Sequence, residues 1–165
     1  MKSTPLQRRT PLKSYSHLTT RVSLRRSRFV HKMPDSPTAI LDGIVSKVVR
    51  RSAADSSGIA ACVTCKGLNH WKHMDCGHFQ KRGNLATRFY FKNLGVQCKT
   101  CNQFNDGEEE KFAEYIDNLY GAGTAEQLRV EARKITHDFP FAEETAKWKA
   151  KLDALVAAQD MEIQY

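Results

Sequence analysis

Apolar positions first recur with a helical period at Ile40, Ile44 and Val48, with Leu41 beside them. Ser36-Pro37 precedes them, a capping hydroxyl followed by proline at the first helical position. This predicts a helix over residues 37–52, ending on Lys47, Arg50 and Arg51, charges that suit a helix C-terminus and could also touch a polyanion. Residues 52–58 are small and polar and read as a linker. Strands are expected near residues 72–79 and 94–98, joined by a loop rich in Lys81, Arg82, Gly83, Asn84 and Arg88, with a helix beginning around 98–102. A third helix follows over 107–120, where Glu108, Glu109 and Glu110 suit the N-terminus, Phe112, Tyr115, Ile116 and Leu119 keep helical spacing, and Gly121 marks a stop. Thr124-Ala-Glu-Gln127 reads as a capping box for a helix carrying Leu128, Ala132 and Ile135. A last helix over 142–159 aligns Trp148, Leu152, Leu155 and Val156. These stripes read as a packed helical cap, and could instead mediate a homodimer.

The first 35 residues lack such a pattern. Thr4-Pro5-Leu6-Gln7-Arg8 is echoed by Thr10-Pro11-Leu12-Lys13, with too few apolar side chains to build a core and prolines that keep the chain extended. This segment is expected to be a disordered basic arm. Charge sharpens the contrast. Residues 1–51 hold 12 Lys/Arg against 2 Asp, whereas residues 52–165 hold 14 Lys/Arg against 16 Asp/Glu. A concentrated basic arm on a near-neutral body suits a phosphate-backbone binder. Arg8, Arg9, Arg25, Arg26 and Arg28 are the expected contacts in the arm, where Arg21 and Lys32 continue the positive run, with Lys81, Arg82 and Arg88 in the core. A solubilising tail is the plainer alternative. No apolar run approaches the roughly 18 residues that span a bilayer, and the N-terminus has no apolar signal core, so a cytoplasmic protein without membrane partners is expected.

Four of the five cysteines form two Cys-x-x-Cys pairs, Cys62/Cys65 and Cys98/Cys101. Each pair lets a tight turn aim two sulfurs at one ion, and two such turns complete a tetrahedral zinc shell. A disulfide pair or redox motif does not account for both pairs having this spacing. Cys76 reads as a small packed thiol.

Between and after the pairs stand Asp75-Cys-Gly-His78, Asn93-Leu-Gly-Val-Gln-Cys98 and Cys98-Lys-Thr-Cys101-Asn102. In order, His78, Asn93 and Asn102 resemble the motif of the HNH (His-Me finger, ββα-metal) nucleases, in the variant whose last letter is Asn. The string is similar to that of the phage NinG (Rap) recombination nuclease family, closely over about residues 60–106 and more loosely beyond. The resemblance implies an α+β fold. Residues 59–106 would form a zinc-bound ββα-metal core, flanked by the arm at 1–35, a helix and linker at 36–58 and a helical region at 107–165. It implies a metal-dependent DNA endonuclease acting on branched recombination intermediates such as Holliday junctions or D-loops.

In that reading His78 is the base that deprotonates water, and neutral imidazole suits that role. Its plainer role is a zinc ligand or strand residue, although four cysteines already fill the zinc shell. Asn102 would hold Mg²⁺ or Mn²⁺ through its side-chain oxygen, or simply cap a helix. Asn93 matches the letter that braces the loop and orients the histidine, or is a turn residue before a strand.

One departure stands out. Many HNH proteins carry a metal-binding Asp or His immediately before the catalytic His, and here that position is Gly77. Asp75 shares a strand face with position 77 and could reach the ion if the strand bends. His73, Asn105 and Asp106 are reserve ligands, the last two on the face of Asn102 if the helix continues; His70 reads as a solvated loop residue. The competing functional reading is a non-catalytic zinc module that binds DNA through its arm. An RNA-binding zinc protein is weaker, because a dense aromatic stacking pattern is missing.

Overall fold

The computed structural model describes residues 36–162, with side chains described to residue 158. It is α+β, four helices of eight or more residues around two small antiparallel sheets. The arm and its five arginine contacts, Arg8, Arg9, Arg25, Arg26 and Arg28, lie outside the described residues.

Helix α1 spans Pro37–Ser52, and Ser36 Oγ accepts the Ala39 N–H at 3.2 Å, as its capping sequence predicts. The buried face is Leu41, Val45, Val48 and Val49, rotated from the expected stripe, and Ile40 stays 45% exposed. Both stripes are apolar, and the partner decided between them. Helix α5, Phe141–Glu162, lies against α1, with Trp148 buried between and Leu152 and Leu155 beside it. Phe89, Phe139 and Phe141 close this core with a cluster of ring contacts.

Strand β1, Ile59–Ala61, pairs with β2, Leu68–His70, a hairpin that the sequence pattern did not announce. Its loop carries the first cysteine pair. Lys66 adopts positive φ (62°), which lets its N–H reach Cys62 O at 2.9 Å, while Cys62 N donates to Gly67 O. A 3-10 turn at Trp71–His73 leads into β3, Asp75–His78, so the expected strand over 72–79 is only four residues long. β3 pairs with β4, Leu94–Gln97, in the register Asp75↔Gln97, Gly77↔Gly95 and His78↔Leu94. The connection contains a short helix, α2, Leu85–Arg88, where a loop was expected.

The helix expected from residues 98–102 is a single π-type turn, Thr100–Phe104. It stops because Asn105 leaves the helical region and Asp106 takes positive φ (48°), so Asn105 and Asp106 do not continue the face of Asn102. Helix α3, Glu109–Tyr120, then packs Phe112 and Ile116 against Val63 and Phe79. Gly95 permits this approach, since a Cβ there would meet the Phe112 ring at 2.9 Å. Helix α4, Thr124–Glu131, begins one residue earlier than a Thr124 cap requires: Gly123 holds the cap position, and Thr124 Oγ1 donates back to Gly121 O. Asp117 Oδ1 accepts the Ala125 N–H instead. Leu128 and Ala132 are buried, but Ile135 lies beyond the helix end and is 82% exposed.

Candidate functional site

The first site is the sulfur cluster. The Sγ atoms of Cys62, Cys65, Cys98 and Cys101 lie within 4.8 Å of one another, and Cys65 and Cys98 are 3.8 Å apart. Tetrahedral zinc with bonds of about 2.3 Å sets its sulfurs about 3.8 Å apart. The donor set therefore fits zinc. Backbone geometry supports it further: Cys98 N–H points at Cys62 Sγ (3.3 Å) and Cys101 N–H at Cys98 Sγ (3.5 Å). Burial opposes ionisation of Cys62, but hydrogen bonds from the Cys65 backbone, the Thr64 hydroxyl and the Cys98 backbone outweigh it and lower its thiol to about 6. Burial, joined by the neighbouring sulfurs, raises Cys101 to about 12. Thiolates this crowded ionise together only around a cation, so metal binding releases protons.

The second site is a cleft of about 620 Å³ along β3. Ser46 and Arg50 of α1 form one wall, and Asn102, Gln103, Asp106 and Glu109 line the other. Asp75, Cys76 and His78 line it from β3, and Lys81 and Arg82 from the loop that follows. The fold thus brings Asp75 and His78 of one strand together with Asn102 from the turn that follows β4. Asn102 Nδ2 donates to Asp75 Oδ2 at 3.0 Å, and Gln103 Nε2 donates to the same oxygen at 2.7 Å. Asn102 is positioned by its neighbour Cys101, a member of the sulfur cluster, within the turn Thr100–Phe104.

His78 is half-buried. Its Nδ1 accepts weakly from Arg82 Nε at 3.5 Å, and its Nε2 is enclosed without a hydrogen-bond partner. Burial first, and the Arg82 charge second, lower its pKa to about 4, so the imidazole is neutral at neutral pH. Asn93 does not line the cleft. It is fully buried behind it, where Oδ1 accepts the Gln80 N–H (2.7 Å) and Nδ2 donates to Gln80 O (3.1 Å) and Thr87 O (3.0 Å). It ties both ends of the 80–87 loop to the strand pair.

The basic residues divide. Lys81 and Arg82 lie at the cleft, Lys81 3.9 Å from Asp106. Arg88 braces the fold instead. Its guanidinium forks onto Asp42 of α1 (Nε–Oδ1 3.1 Å) and donates to Arg82 O. Cys76 is buried against α1, and burial pushes its thiol up to about 12, as expected for a packed thiol. Of the reserve ligands, Asp106 lines the cleft, Asn105 donates to Glu108, and His73 packs edge-on to His70.

Gln97 and Gln103 were not singled out as site residues from sequence, and Arg50 only as a helix-end charge that could touch a polyanion. Arg50 reaches the cleft while its guanidinium also lies over the Trp71 ring (5.6 Å) and donates to Met74 O. Gln97 is fully buried, and its Nε2 donates to Gly107 O (2.7 Å) and more weakly to Thr64 Oγ1 (3.4 Å). Thr64 contacts Cys62 Sγ, so this one side chain joins the sulfur cluster to the cleft wall. Its Oε1 is buried without a partner, which costs about 1–3 kcal/mol unless a ligand meets it. The signal available was positional: Gln97 directly precedes Cys98 and, on a strand, pairs across from Asp75.

The family model of the bacteriophage lambda NinG protein matches residues 11–159, nearly the whole chain. The chain belongs to the NinG family. This is a phage family tied to recombination. The NinG match takes in the cysteine cluster, the cleft and most of the basic arm. No curated protein and no solved structure matches. Among the described residues, no helix is long and apolar enough to cross a membrane.

Proposed function

We propose that this NinG-family chain is a metal-dependent DNA endonuclease of the HNH type that hydrolyses phosphodiester bonds in branched recombination intermediates. The observation that carries the reading is the cleft: a neutral imidazole, a carboxylate and an asparagine meet beside Arg50, Lys81 and Arg82. The sheet pair β3–β4 followed by the Thr100–Phe104 turn serves as the ββα unit, with its helix shortened to one turn.

Asp75 and the side-chain oxygen of Asn102 would hold Mg²⁺ or Mn²⁺, which when bound offsets charge on the phosphate and the departing 3′ oxygen. One carboxylate with neutral oxygens suits such an ion, which commonly takes its remaining ligands from water and substrate phosphate. Arg50, Lys81 and Arg82 bind and orient the phosphate. His78 accepts the proton of the attacking water at Nδ1, the nitrogen that meets Arg82 at the cleft. A pKa near 4 leaves a weak base; the negative charge of a bound phosphate offsets the Arg82 contribution, while burial, the larger cause, remains. Asn93 positions the loop behind His78 and touches no reacting atom. The zinc cluster is structural and fixes Asn102. The basic arm holds flanking phosphates, a homodimer would supply two active sites for two strands, and the host cytoplasm is the place of action.

The deciding experiment compares cleavage of a four-way DNA junction and a matched linear duplex by wild type and His78→Ala, with Mg²⁺, Mn²⁺ or EDTA, at equal zinc content. Metal-dependent cutting that the variant loses by about 10²-fold or more is expected, with preference for the junction. Binding without cutting under every metal condition would instead identify a non-catalytic zinc-containing DNA-binding module.

A further inference from the structure

Position 77 has no side chain, and the reason lies on the neighbouring strand. A Cβ placed on Gly77 would fall 2.1 Å from Gln97 Oε1, 2.8 Å from its Cδ and 3.0 Å from its Cγ. The Gln97 side chain therefore reaches from β4 across to β3. It lays its amide oxygen where the side chain of residue 77 would begin. Asp75 and Gln97 are directly paired across the strands, so their side chains share a face of the sheet with position 77.

The orientation of the amide is determined. Nε2 meets the Gly107 carbonyl at 2.7 Å, and that oxygen can only accept, so Oε1 must be the end that points over Gly77. Gln97 is 0% exposed, and Oε1 has no hydrogen-bond partner. It lies against the strand that lines the cleft, with Gly107 beside it and the Asp75–Asn102 pair on the same side. An orphaned, fixed amide oxygen on the sheet face that carries Asp75, whose carboxylate meets the Asn102 amide, adds a further oxygen donor for a hard cation.

We propose that Gln97 Oε1 is a ligand of the divalent cation, supplied from β4 in place of the side chain that Gly77 lacks. This rests on the cation site read above and adds its third protein oxygen. Gly77 and Gln97 then form a matched pair: any side chain at 77 would displace the oxygen. With one carboxylate and two neutral oxygens, the site is weakly charged, so the ion exchanges readily and zinc does not.

The test is Mn²⁺ binding to the zinc-loaded full-length chain, read by electron paramagnetic resonance of free Mn²⁺ in the absence of DNA. Zinc content and circular dichroism serve as controls. Wild type is compared with Asp75→Asn, Gln97→Leu, Gly77→Ala and the double variant Gly77→Asp/Gln97→Ala. Gln97→Leu and Gly77→Ala are each expected to weaken Mn²⁺ binding at least tenfold with zinc retained. The double variant moves the oxygen ligand back to residue 77 and is expected to bind within threefold of wild type. Wild-type affinity in both single variants overturns the proposal, as does a folded double variant that fails to bind. If Gln97→Leu does not fold, the double variant decides alone. If Asp75→Asn weakens binding while Gln97→Leu does not, only the assignment of Gln97 falls. If wild type itself binds no Mn²⁺, the cation site falls with it.

Discussion

At His78 burial first, and the Arg82 charge second, keep the ring neutral, and its Nδ1 meets Arg82 Nε at 3.5 Å, the arrangement on which the proposed proton transfer rests. The same burial has a thermodynamic consequence. The folded-state pKa is lowered from 6.5 to about 4, so between those values the unfolded chain binds more protons. His78 therefore contributes stability that is complete above about pH 6.5 and is lost as pH falls toward 4. Denaturant midpoints of wild type and His78→Gln, measured at saturating zinc, are expected to converge over that window in the acid direction. Parallel curves would contradict the burial argument. Asn93 makes a different prediction. Its carboxamide satisfies one N–H and two carbonyls in the interior, each costing about 1–3 kcal/mol when stranded. Asn93→Ala is expected to lower stability by about 3 kcal/mol and to slow cleavage through displacement of the 80–87 loop. Cleavage abolished at unchanged stability would point to direct catalysis instead.

Among the elements, the two cysteine turns do more than bring four sulfurs together. The first closes the β1–β2 hairpin, three residues per strand, too short to be stable alone. The second launches the turn that carries Asn102. Replacing Cys62 or Cys98 with Ser is expected to release zinc and abolish the cooperative unfolding transition of the core; a folded, zinc-loaded variant would refute the structural role. Helices α1 and α5 pack together in a cluster that also takes in Cys76 of β3. Trp148 is 3% exposed at their contact, and Trp148→Ala should cost about 3–5 kcal/mol. This destabilisation should leave zinc content unchanged, since Trp148 packs in a separate cluster from Cys62, Cys98 and Cys101.

For the molecule as a whole, charge is the organising quantity. The body pairs many of its cations locally, as Lys111 with Glu108, Arg129 with Glu109 and Lys147 with Glu144. The arm has no such supply of acids: residues 1–35 hold nine Lys/Arg and one Asp. Removing residues 1–35 should weaken DNA binding and flatten the dependence of log K on log salt. Each phosphate that the arm no longer neutralises takes about 0.9 off the slope on duplex DNA. An unchanged slope, measured by anisotropy over a salt series, would place the phosphate contacts on the body.

Local chemistry made the cysteine pairs, the Ser36-Pro37 cap and the helical stripes of the C-terminal half legible, because each depends on residues within one or two turns of chain. The sequence by itself determined a donor set that fits zinc, the uneven charge and the order of His78, Asn93 and Asn102. Tertiary structure decided which face of α1 is buried, since only contact with α5 distinguishes two apolar stripes. It also decided that Arg88 binds Asp42 and that Asn93 stands behind the cleft rather than in it. The meaning of Gly77 was hidden for the same reason. A missing side chain looks like an absent ligand along the chain, but across the strands it is the space that Gln97 fills, and that space exists only once β3 and β4 are paired.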